Sequence, residues 1–150
     1  MQYPKNELIA EHIRETVAGV QLIAGASKTL IPRRFSHLPI VPEDGLAIIV
    51  QADPIRETDA PLNYIQWMQP FAIHVFVFEH ETSDIGIETR CNCVRADLEK
   101  ALMTDATRDG YAIDTMIESP TYWGTVDGNY SGVTVNCTVR YRTSETDPYQ

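Results

Sequence analysis

The side chains able to do chemistry are scattered through this chain of 150 residues, and one of them sits in an unusual place. His74 interrupts the apolar run Phe71-Ala-Ile-His-Val-Phe-Val-Phe78, where a neutral imidazole needs partners for its ring nitrogens. It can be read as the general base of a small enzyme, working with a nearby carboxylate. The ordinary reading is a buried or interface histidine hydrogen-bonded to a backbone or acidic group. His12, on the border of a helical apolar stripe, reads the same way, and the four histidines (His12, His37, His74, His80) show no paired metal-ligand spacing. Cys91 and Cys93 fall two apart in a predicted helix, so they point to different faces and cannot easily share one metal. Buried, reduced thiols are expected for the three cysteines, with no metal and no cofactor.

Other routes to catalysis lack their residues. No glycine cluster marks a strand-to-helix phosphate loop, because Gly19, Gly25 and Gly45 stand alone. Gly-x-Ser-x-Gly does not occur, and all six serines fall in polar connections. Glu79 and Glu118 are available carboxylates, each read more simply as a surface residue. The expectation is that the chain is not an enzyme.

Composition narrows the class further. The chain is 43% apolar and 22% charged, and no apolar run approaches the roughly 20 residues of a membrane span. Glu7, Glu11 and Glu15 near the N-terminus are incompatible with a secretory core, so manufacture in the cytoplasm is expected. Twenty-one acidic residues against twelve basic give a net charge of −9, which opposes gripping DNA through its phosphates. An acidic wall that DNA slides past is compatible with that charge, and so is plain solubility.

The elements that must position these residues follow from periodicity. Leu8, Ile9, His12, Ile13, Val17 and Val20 recur at helical spacing, predicting a helix over 7–18 capped by Asn6. A proline-marked arm follows, with a short strand near Thr29 to Ile31. Leu46 to Val50 reads as a short buried strand, and Asp53 to Pro61 as a charged, proline-bounded loop. Ile65 to Phe78 is apolar on both faces, which requires cover on both sides, by other layers or by another subunit; Pro70 predicts a bulge or an edge. A second helix is expected over 84–103, capped by Ser83 or Asp84. Tyr111 to Glu118 alternates as a strand, and Ser119 to Ser131 reads as a hairpin-like connection turning at Asp127-Gly128. Val133, Val135, Cys137, Val139 and Tyr141 alternate with polar residues in a half-buried final strand, leaving a flexible tail over about 143–150. The sum is one α+β domain over 1–150, with a mainly antiparallel sheet of four to five strands and two helices packed on it.

This layout resembles the tail terminator, or tail-completion, proteins of long-tailed bacteriophages. The resemblance rests on the helix over 7–18, the arm before Leu46 to Val50, the strand Phe71 to Phe78, the helix around Cys91 to Met103, and the ending Val133-Thr-Val-Asn-Cys-Thr-Val-Arg-Tyr-Arg-Thr with Asp147-Pro-Tyr. It implies a homo-oligomeric ring, commonly a hexamer, at the head-proximal end of the tail tube. Such a ring stops tube polymerisation, meets the tube protein and the head-tail connector, and lets DNA through its lumen without specific binding. Its place would be the virion, away from any membrane. A head-tail connector or neck adaptor shares this size and logic. The readings of another class are an enzyme centred on His74 and a ligand-binding module whose cleft is lined by Trp67, Trp123 and Tyr122. For a ring, the charged, proline-flanked loops predict subunit contacts at Arg33, Arg34, Arg56, Glu57 and Asp59, with Trp67 beside them.

Overall fold

The structure, a computed structural model, describes residues 1–22, 29–34, 41–79, 85–126 and 130–150. His37, His80, the cap candidates Ser83 and Asp84, and the Asp127-Gly128 turn lie outside the described residues. The chain forms α1 (Lys5–Ala18), β1 (Ile31–Arg34), β2 (Leu46–Gln51), β3 (Ile55–Arg56), β4 (Tyr64–Phe78), α2 (Ile87–Thr104), β5 (Asp114–Ile117), β6 (Thr121–Val126) and β7 (Tyr130–Ser144). One sheet runs in the order β1-β2-β4-β7-β5, with β3 added to β4 and β6 to β7. Only β1 and β2 are parallel, so the fold is α+β and mostly antiparallel.

Among the described residues seven strands stand where four to five are expected. The additions are β3, two residues beside Pro54, and β6, whose Tyr122-Trp123-Gly124 composition reads as a connection. Neither has a period of its own; each takes its conformation from the longer strand it joins. The arm strand also shifts, from Thr29–Ile31 to Ile31–Arg34, because register with Leu46–Ile49 decides it. Among the described residues no helix is long and apolar enough to cross a membrane.

β4 and β7 pair without a slip from Tyr64–Ser144 to Phe78–Tyr130. Phe71, Ile73, Val75 and Val77 of β4 share one face with Val133, Val135, Cys137 and Val139 of β7, and all are buried. Both helices cover this face, through Ile9, Ala10, Ile13 and Val17 of α1 and Cys91, Val94, Leu98 and Leu102 of α2. Each large apolar side chain buried there contributes about 1.5–3 kcal/mol, far more than helix propensity supplies. Cys137 belongs to this core, and burial pushes its thiol up to about 12. The even-numbered residues Ala72, His74, Phe76 and Phe78 point the other way and stay half-buried. Of the two covers expected for this strand, the helices supply one.

Pro70 makes neither a bulge nor an edge. Register puts it opposite Ala52, just past the end of β2, and the Ala52 amide donates to the Pro70 carbonyl at 3.1 Å. The reciprocal bond needs an N–H that proline lacks. Gln69, fully buried, supplies it: its side-chain amide donates to the Ala52 carbonyl, and Gln51 Nε2 donates to Gln69 Oε1 at 3.3 Å. A side chain thus replaces one backbone donor in the ladder.

The helix ends use other devices. Pro4, rather than Asn6, caps α1, with its carbonyl accepting from the amides of Glu7 (3.0 Å) and Leu8 (3.2 Å). α2 starts after Gly86, three residues later than expected for a start at Asp84, and its buried Arg90 donates to the Phe78 carbonyl and pairs with Asp44 at 3.4 Å. Asp44 also accepts from the Phe78 amide at 3.0 Å, so one carboxylate joins the β2 turn, the end of β4 and the start of α2. Beyond α2, Arg108 and Asp109 adopt left-handed backbone (φ 50° and 57°), and the fully buried Arg108 guanidinium donates to the Leu102 carbonyl at the negative end of the helix.

β7 continues through Thr143 and Ser144, into the segment expected to be a flexible tail. Residues 145–150 then turn back: the Ser144 amide donates to the Gln150 carbonyl at 2.9 Å, and the Lys5 amide to the Pro148 carbonyl at 3.4 Å. The Gln69 bridge yields a clear expectation. Gln69→Leu leaves the Ala52 carbonyl unpaired and lowers stability by about 1–3 kcal/mol in urea unfolding, and adding Pro70→Ala, which restores a backbone N–H, recovers part of that loss.

Candidate subunit interface

Local sequence forces an apolar side chain into solvent at one end of the ladder. In Pro61-Leu62-Asn63-Tyr64 the Tyr64 amide donates to the Pro61 carbonyl at 3.1 Å and Asn63 takes a φ of 69°, a turn that asparagine tolerates and most residues do not. Leu62 at its tip is 87% exposed. Tyr64 follows at 49%, and Ile55, on the two-residue β3, is 59% exposed. The Glu145 amide donates to the Asn63 carbonyl at 3.2 Å, which brings the C-terminal turn and its exposed Tyr149 to the same end. Tyr3, just before α1, is exposed close to where Lys5 meets Pro148. Apolar side chains exposed this way, rimmed by charge, make this end a candidate association surface. Beside Leu62 and Tyr64 lies a cleft of about 450 Å³ lined also by Arg56, Ile65 and Glu145.

Four of the six residues expected at subunit contacts, Arg56, Glu57, Asp59 and Trp67, fall at this end. Arg56 and Asp59 are exposed. Glu57 is engaged within the chain, accepting from Gln66 Nε2 at 2.6 Å and from Arg140 Nε at 3.1 Å. Trp67 lies opposite Arg56 in register but packs against the core, its Nε1 donating to Thr143 Oγ1 at 3.0 Å. Arg33 and Arg34 lie elsewhere, on β1. Arg33 is exposed, whereas Arg34 joins β1 to α1 and β2 through a two-toothed pair with Glu7 and a 3.0 Å bond to Gln51 Oε1. Sequence reasoning missed Leu62, Ile55 and Tyr64 as a group. The available signal was an apolar residue placed at the tip of a Pro-x-Asn turn.

The far end of the ladder holds aromatic residues. Trp123 sits edge-on to Phe76 at 5.0 Å, and Phe78 stacks on Tyr130 at 5.2 Å. The indole lies over Gly132, where a Cβ would fall 1.9 Å from the ring, so only glycine fits. Tyr122 and Trp123, with Ile87, Glu88, Cys91, Asn92 and Gly132, line a second cleft of about 370 Å³. The expected cleft of Trp67, Trp123 and Tyr122 together does not form. Trp67 faces Tyr141 and Trp123 faces Gly132, roughly 30 Å apart along β7.

His74 lies mid-ladder, its Nδ1 2.7 Å from Thr134 Oγ1, and it lines neither cleft. Burial holds its pKa below the ordinary 6.5, so the folded chain favours the neutral ring. As pH falls, the unfolded chain protonates first; the stabilisation is present above about 6.5 and is lost below it, through the lower folded value. Stability therefore drops between about pH 7.5 and pH 5.5, and His74→Gln makes that drop smaller, read by urea unfolding at both pH values. Gly132→Ala displaces the indole, costs about 1–3 kcal/mol, and changes tryptophan fluorescence.

No protein-family model matches this chain and no curated protein matches it, so its functional assignment rests on the residues themselves.

Proposed function

We propose that this chain is a structural virion subunit of the tail-terminator kind. Copies join in a ring, hexameric by resemblance, at the head-proximal end of a phage tail tube. The ring ends tube growth and offers the head-tail connector a surface, while DNA passes through the lumen without specific binding. The protein is made in the host cytoplasm and resides in the virion tail.

The observation that carries this reading is the apolar end formed by Ile55, Leu62, Tyr64 and Tyr149, whose side chains are exposed in a single chain. Burying them requires a neighbour. Two further features support it. The second face of β4 is half-buried, without a helix over it, and the excess of acid, 21 residues to 12, suits a lumen wall that does not hold phosphate. Acidic residues are accordingly placed on the lumen wall; a ring with arginine and lysine there would contradict that part.

Light scattering and negative-stain imaging of the purified chain test the assignment. Annular particles of about six copies are expected. A chain that stays monomeric up to millimolar concentration overturns it.

A further inference from the structure

A head-to-tail ring needs two different surfaces on each chain that fit one another. The two ends of the β4–β7 ladder differ in this way. At one end Leu62, 87% exposed at the tip of its turn, stands into solvent at the rim of the cleft that Tyr64, Arg56 and Glu145 also line. The other end holds a cleft of about 370 Å³ lined by Tyr122, Trp123 and Ile87, with Glu88 and Asn92 on its α2 side.

We infer that the Leu62–Tyr64 tip of one copy seats in the Trp123 cleft of the next, with Arg56 of the first pairing with Glu88 of the second. This rests on the ring assignment and specifies its contact. The charges match in kind. Arg56 and Glu88 are both exposed, and neither side chain has a hydrogen bond or ion pair among the described residues. Glu145, the acid beside Arg56, meets Asn92, whose side-chain amide is also exposed and unused. Apolar surface on the tip meets apolar and aromatic surface in the cleft, which is the usual centre of an association surface with charge at its rim.

Length sets the size of the product. Fifteen residues per strand at about 3.3 Å each put the two ends roughly 45 Å apart, so six such steps close into a ring about 90 Å across.

A charge swap tests the contact on the full chain. Arg56→Glu and Glu88→Arg each raise the concentration needed for assembly by about tenfold or more, measured by size-exclusion chromatography with light scattering, and the two together return it to within about threefold of the original. Leu62→Ser, at an exposed position where folding is unaffected, gives a loss the swap does not rescue. Thermal unfolding checks that each variant keeps its fold. Wild-type assembly that neither single charge variant weakens overturns the contact and leaves the ring assignment standing. So does a double variant that stays as weak as the singles. A wild-type chain that never assembles overturns both.

Discussion

The pairing of β4 with β7 is the constraint on which everything else in this molecule depends. With fifteen residues on each strand in unbroken register, the alternation of side chains is fixed over the whole length of the sheet. A slip of one residue would turn Phe71, Ile73, Val75 and Val77 away from the helices and bring His74 and Phe76 beneath them. Both shorter additions, β3 and β6, take their places from this pair, and so do the two ends at which the chain can meet other molecules. The Asp44–Arg90 link then fixes α2 to the end of β4, so the helix layer is positioned by the same strand.

Where sequence periodicity was strong, it was sufficient. The alternation of Val133 to Tyr141 and the helical recurrence of Ile9, Ile13 and Val17 identify the final strand and first helix, because one-sided burial leaves a period in the residues themselves. Such signals vanish when a segment is held by something distant. β3 and β6 are strands through their partners, and Pro70 reads as a defect until Gln69 is seen to serve the Ala52 carbonyl in its place. A glutamine in an apolar run gives no hint of which carbonyl it will find. The same limit applied to the candidate interface. Charge and proline pointed to Arg56 and Asp59, which are exposed, and equally to Arg34 and Glu57, whose charges are used inside the chain. Composition records that a charge exists; only three-dimensional placement records whether it is already spent.

Burial divides the two aromatic regions by role. At the Trp123 end the rings pack on one another and on a glycine that leaves room for them, so this surface is preformed. At the Leu62 end the side chains stand apart on a turn, exposed to water in the single chain. In the proposed contact, an ordered cleft meeting an exposed tip would place most of the ordering cost in the fold of the subunit itself.

The backbone bond from Lys5 to Pro148 and the one from Glu145 to Asn63 also bring both chain termini beside the exposed Leu62 tip. An affinity tag or fluorescent fusion, at whichever end of this sequence it is attached, would therefore crowd the surface through which copies are proposed to meet. If the proposed ring forms, material purified with such an extension would report a smaller particle until the extension is cleaved, and a label placed away from this end belongs in an exposed position on the outer side of α2, such as Ala96.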